Sequence, residues 1–193
     1  MRKFYFALTL FFSITIFSCS HKVTRIEPTE TPDINGSWNN TDSRLTAEEM
    51  IKQCLGEAWL ANYTDSKSKK PVVIVGMVVN KSHEHIEAET FIKDLERTFI
   101  NTAKVGVVQS GKKRDELRAE KADQQTNASV STMKKFGLEN GADFILQGSI
   151  NSIVDAYKRK KSVTYQINLE LTNIETNEVV WVGEKKISKL VKN

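Results

Sequence analysis

Two imidazoles and a carboxylate stand side by side at His83-Glu84-His85, where metal chemistry is the first thing to ask about. Histidines at i and i+2 in a loop chelate only weakly, and the spacing is not the helical H-E-x-x-H of a zinc protease. The remaining histidine, His21, is distant in the chain, so no metal is expected. Cys54 has no histidine at a spacing that would make it a nucleophile. It falls on the apolar stripe of a helical pattern and is expected to be a buried, inert thiol. No G-x-S-x-G elbow, P-loop or G-x-G-x-x-G is present, and the scattered Asp and Glu nominate no carboxylate pair. Neither a catalytic centre nor a cofactor is expected. The densest positive cluster is Lys158-Arg159-Lys160-Lys161, at a turn between two strands. It reads either as a solvated turn tip or as a contact for an anionic surface: a partner protein, a cell-wall polymer or a lipid headgroup. Such a contact weakens with salt. No interleaved aromatics offer a stacking platform, so nucleic acid is not an expected partner.

The elements that must carry these residues follow from periodicity. Thr46-Ala47-Glu48-Glu49 fits a capping box with Leu45 and Met50 as its staple. Ala47, Met50, Ile51, Cys54, Leu55 and Ala58 continue at helical spacing, predicting a helix to about Ala61 and a turn over 64–71. The unbroken apolar run 72–79 suits a strand covered on both faces. Helical spacing returns with Ala88, Phe91, Ile92, Leu95 and Phe99, and a short strand is expected over 104–109. That order is one βαβ unit with parallel pairing. A very polar helix is expected over 112–126 at the edge, and a short one over 131–139 stopped by Asn140-Gly141. Strands follow over 142–154, around Val163 to Leu171 with strict alternation, and over 179–187, forming an antiparallel meander. The fold class is α/β: a mixed sheet of about five strands with helices packed on it. Gly76 and Gly148, inside strands, suggest close packing. Asn80, His83 and His85 lie in or beside the loop after the first strand, at the carboxyl end where α/β sheets place binding surfaces. With Lys158, Arg159, Lys160 and Lys161 they are the candidate partner-contact residues.

Whether all 193 residues belong to the folded protein depends on the first 35. Arg2 and Lys3 precede the mostly apolar run 4–17, a secretory signal pattern shorter than a comfortable bilayer span. Cys19 stands where this run stops, as the lipidated cysteine of a bacterial lipobox does. Residues 1–18 are therefore expected to be a lipoprotein signal, Cys19 a lipid attachment point, 19–35 a tether with Pro28 and Pro32, and 36–193 the globular domain. Removing the leader takes away Arg2 and Lys3 and halves the +4 excess of 28 basic over 24 acidic residues. The domain is then nearly neutral. Its two cysteines are no longer a possible disulfide pair.

Five stretches together carry a resemblance: 36–45 (Gly-Ser-Trp-Asn-Asn-Thr-Asp-Ser-Arg-Leu), 70–76 (Lys-Pro-Val-Val-Ile-Val-Gly), Glu84-His85-Ile86, Asp94-Leu95-Glu96-Arg97, and 141–150 (Gly-Ala-Asp-Phe-Ile-Leu-Gln-Gly-Ser-Ile). From about Gly36 to Lys189 the chain resembles the LpoB-like outer-membrane lipoproteins, activators of peptidoglycan synthases. The resemblance implies a domain similar to the amino-terminal domain of TolB. It implies an outer-membrane anchor facing the periplasm and non-catalytic docking on a bifunctional class A penicillin-binding protein. It supplies no contact motif and leaves the oligomeric state open. The best-known enterobacterial members have a much longer Pro-rich linker than residues 20–35. A scaffold role in another envelope assembly is the alternative expectation.

Overall fold

A computed structural model of the chain describes Glu27, residues 33–132 and residues 139–192. The expected leader, Cys19 and most of the tether lie outside the described residues. Among those described, no helix is long and apolar enough to cross a membrane.

The first helix, α1 (Asn40–Cys54), begins about two turns before the predicted cap. Asn39 is its N-cap: its side chain accepts from the Asp42 N–H at 3.1 Å, and Asp42 accepts from the Asn39 N–H at 2.9 Å. An Asn–Asp pair closes the same reciprocal box as Thr–Glu, and Asn is the stronger cap. Thr46 is consequently mid-helix and buried, and Leu45 is exposed rather than stapled. The helix does not continue to Ala61. It breaks at Leu55-Gly56, and a second helix, α2 (Ala58–Lys67), occupies much of the expected turn before ending on left-handed Ser68. Trp59 Nε1 donates to the Cys54 carbonyl at 2.7 Å, satisfying one of the orphan acceptors at the end of α1.

The βαβ unit is present as β1 (Val72–Lys81), α3 (Ala88–Thr102) and β2 (Gly106–Val107). The polar helix α4 (Gly111–Asn127) buries no residue, as its sequence demands. Residues 133–138, where the further short helix was expected, are outside the described set; Ser131 and Thr132 form a turn. The meander follows as β3 (Phe144–Tyr157), β4 (Lys160–Asn173) and β5 (Val179–Lys192). The five strands run in the order β2-β1-β3-β4-β5, with β1 parallel to β2 and β3 and the last three antiparallel.

One face of this sheet holds the core. Val73, Val75, Val78, Phe144, Leu146, Ile150, Ile167, Leu169 and Leu171 pack against Met50, Ile51 and Cys54 of α1 and Phe91, Leu95 and Phe99 of α3. Each such side chain contributes about 1.5–3 kcal/mol by leaving water. The other face is open, and this corrects the expectation for 72–79. Val72 and Ile74 are half-buried, while Met77 and Val79 are exposed. The run reads as continuous because a register shift between Val75 and Val78 breaks the alternation. Gly76 fits the close-packing expectation, since a Cβ there would stand 3.0 Å from the Ile145 side chain.

Candidate interaction surface

The loop after β1 is organised around Glu84. Asn80, near the end of β1, donates from Nδ2 to the Glu84 carbonyl at 2.9 Å and accepts from the Ser82 N–H, also at 2.9 Å. The loop is thereby folded back on its own strand. Glu84 Oε1 accepts from the Tyr165 hydroxyl at 2.6 Å and the Trp38 N–H at 2.7 Å. Burial pushes the Glu84 carboxyl up, but these two donors outweigh it and hold the group below the usual carboxylate range. For Tyr165 burial and the facing carboxylate act in the same direction, and its pKa is raised. Tyr165 also meets Trp38 edge-on at 5.5 Å between ring centroids. The loop, the segment before α1 and strand β4 are therefore joined at one polar node inside an aromatic cluster.

The two histidines of the loop diverge. His83 uses its backbone N–H and its Nδ1 on Ser152 Oγ, at 2.9 and 2.8 Å, and stacks against Tyr165. His85 is almost fully exposed, with Nε2 3.9 Å from Glu87. No group of three or more His, Cys, Asp or Glu side chains of metal-binding form occurs among the described residues. Asn80 is occupied within the loop, so His83 and His85 are the members of that candidate set whose rings face outward. Cys54 is buried, and burial pushes its thiol up to about 12, the opposite of an activated nucleophile.

Lys81, the last residue of β1, pairs with Asn151 of β3. Beyond Ser152, strands β3, β4 and β5 continue without β1 as a three-stranded arm, about 17 Å long at ~3.4 Å per residue. Lys158 and Arg159 are its tip, and Tyr157 pairs with Lys160 across it. Lys158 is left-handed at φ 51°. Loop and arm thus occupy the same end of the sheet.

Two further features were missed by sequence reasoning. Lys189 of β5 is turned inward, where its Nζ donates to Asp42 at 2.5 Å, Asp33 at 2.6 Å and the Ser37 carbonyl at 3.0 Å. Burial works against its charge, but the two carboxylates prevail and raise its pKa. A signal existed: Lys189 keeps the parity of Trp181 and Gly183 along β5, which is the buried side. The second feature is the open sheet face. Met77, Val79 and Val182 are exposed there around Gln147, Ser149 and Asn168, lining a shallow depression.

A model of a protein family described as the peptidoglycan-synthase activator LpoB matches residues 42–187, about three quarters of the chain. The chain belongs to the LpoB family. No curated protein matches it. Among solved structures it is similar to the LpoB C-terminal domain from Escherichia coli, at 18% identity and TM-score 0.45, over 77% of this chain and 99% of that one. For the LpoB C-terminal domain from Salmonella enterica the figures are 16% and 0.44, over 76% and 98%. A PelC dodecamer from Paraburkholderia phytofirmans is similar at 14% and 0.35, over 62% and 72%. The LpoB family is one of regulatory activators. The Glu84 loop, the basic arm and the open sheet face are the candidate interaction surfaces.

Proposed function

We propose that this chain is an outer-membrane-anchored, periplasm-facing lipoprotein whose domain binds and activates a bifunctional class A penicillin-binding protein. The family match over residues 42–187 carries the reading. The domain acts by shifting a conformational equilibrium. To do so it must bind the active synthase better than the inactive one, since equal affinity for both shifts nothing. The open sheet face suits the docking step: Met77 and Val182 supply apolar anchors within a polar surround of Gln147, Asn168 and Glu170. His83 and His85 form an outlying rim. No covalent chemistry is asked of the domain, and no cofactor is assigned beyond the lipid on Cys19.

Crosslinking intact envelopes and isolating the chain tests the partner. A class A synthase is expected among the captured proteins, and its consistent absence would contradict the assignment. The anchor has its own test. Cys19→Ser is expected to move the protein out of the outer-membrane fraction, and an unchanged distribution would remove the lipid from the reading.

A further inference from the structure

The tip of the arm has a composition that docking through the open sheet face leaves unexplained. Lys158, Arg159, Lys160 and Lys161 are joined there by Lys192, the cross-strand partner of Lys160. Asp155 is the single acidic residue of the arm. Among the described residues none of the five cations is held in an ion pair, whereas Lys189 at the base is committed to Asp33 and Asp42. Apolar groups accompany the charge: Ile153 is 67% exposed, Tyr157 72% and Leu190 61%. The rungs Tyr157–Lys160–Lys192 and Asp155–Ser162–Leu190 succeed one another at a period of two, which puts these side chains and Ile153 on one face. Lys158 Nζ lies 5.2 Å from the Tyr157 ring centroid. Cations on long stems, an exposed tyrosine and flanking aliphatic groups fit an anionic surface with an apolar layer beneath it. A purely charged polymer would have no use for the apolar groups.

The path of the chain supplies an independent observation. Asp33 is bound to Lys189 at the base of the arm. Gly36, at φ 75°, passes so close to Val191 that a Cβ would fall 2.4 Å from its side chain, and Val191 is the strand partner of Lys161. Residues 19–32 therefore join the domain beside the basic tip. Fourteen residues reach at most about 50 Å at ~3.3–3.6 Å each. A lipid on Cys19 would thus keep the tip close to the leaflet in which it is embedded. A link this short raises the effective concentration to the order of mM, so that even a weak headgroup contact is populated.

We infer that the β3–β4–β5 tip binds the anionic phospholipid headgroups of the leaflet that carries the lipid anchor, holding the domain arm-first against the membrane. The choice of leaflet rests on the Cys19 reading; the headgroup contact does not. Val182 on the open face is in register with Gln147, ten residues along β3 from Tyr157 and so about 33 Å away. The membrane contact and the centre of the protein contact therefore lie at opposite ends of the open face.

The test uses the chain from Ser20 onward, which keeps residues 33–192 intact and carries no lipid. It is mixed with vesicles of phosphatidylethanolamine and phosphatidylglycerol, or of phosphatidylcholine alone, and sedimented. Binding is expected only to the anionic vesicles, falling at least tenfold between low salt and 0.5 M salt. Each cation on such a surface is worth about fivefold in affinity. Replacing Lys158, Arg159, Lys160 and Lys161 together by Ala should therefore abolish measurable binding while circular dichroism stays unchanged, and Tyr157→Ser should weaken it severalfold. Equal binding to neutral vesicles, no binding to either, or binding to purified peptidoglycan in place of vesicles overturns the inference. Synthase activation by the same fourfold variant is measured in solution without vesicles, so loss of vesicle binding and loss of activation are read separately.

Discussion

Glu84 shows how a residue can look like chemistry and serve as a joint. Its carboxylate is the acceptor on which the β1 loop, Trp38 and Tyr165 converge. Hydrogen bonds to a charged group contribute about 1.5–3 kcal/mol, so Glu84→Ala is expected to lower stability in urea by roughly 2 kcal/mol. Because its folded pKa lies below the unfolded value, the Glu84 contribution is present above about pH 4.5 and is lost as pH falls through the lower, folded value. Acid titration of stability should therefore be shallower in Glu84→Gln than in the parent chain below pH 4.5; identical curves would remove Glu84 from the joint. Lys189→Met leaves Asp42 buried without its cation, and a loss of about 3–5 kcal/mol is expected from chemical denaturation. Much of this was hidden in the sequence. The buried face of β4 could be read from its alternation, and a tyrosine on that face must find a partner for its hydroxyl. Nothing in the spacing shows that the partner lies 81 residues away.

At the scale of elements, long periodic segments were legible and boundaries were not. Phe91, Leu95 and Phe99 repeat at helical spacing and are fully buried in α3, and the alternation from Val163 to Leu171 is the core face of β4. Phe99→Ala should cost about 3–5 kcal/mol, whereas Leu117→Ala on solvent-facing α4 should stay within about 0.5 kcal/mol. The start of α1 differs from the expected one because the sequence offers two capping boxes, and the Asn39–Asp42 pair is the one that forms the cap. The open face of β1 was misread because a bulge and a half-covered surface imitate a strand buried on both sides. Strand glycines could be flagged, but only the structure separates them by cost. A Cβ on Gly148 would fall 2.1 Å from the Asn168 carbonyl oxygen, while one on Gly141 meets nothing within 4 Å. Gly148→Ala is therefore expected to destabilise by about 1–3 kcal/mol and Gly141→Ala to be near neutral in thermal melts.

As a whole molecule, the domain packs α1 and α3 on one side of a mixed sheet, and among the described residues Met77, Val79 and Val182 of the other side are exposed. The sheet order gives it a distinct end, where the Glu84 loop, the basic arm and the attachment of residues 19–32 meet. A regulator works through such surfaces, because the energy it delivers is a difference in affinity between two states of its partner. Met77→Asp with Val182→Asp places charge on exposed positions of the open face, where folding should be little affected and synthase binding lost. The central claim is most directly tested by the rate of glycan polymerisation by a purified class A synthase, followed with and without the chain from Ser20 onward. A saturable rise in rate, absent with the Met77→Asp/Val182→Asp variant, is the expected result. An unchanged rate at concentrations where the two proteins demonstrably bind would contradict activation and leave the domain a scaffold.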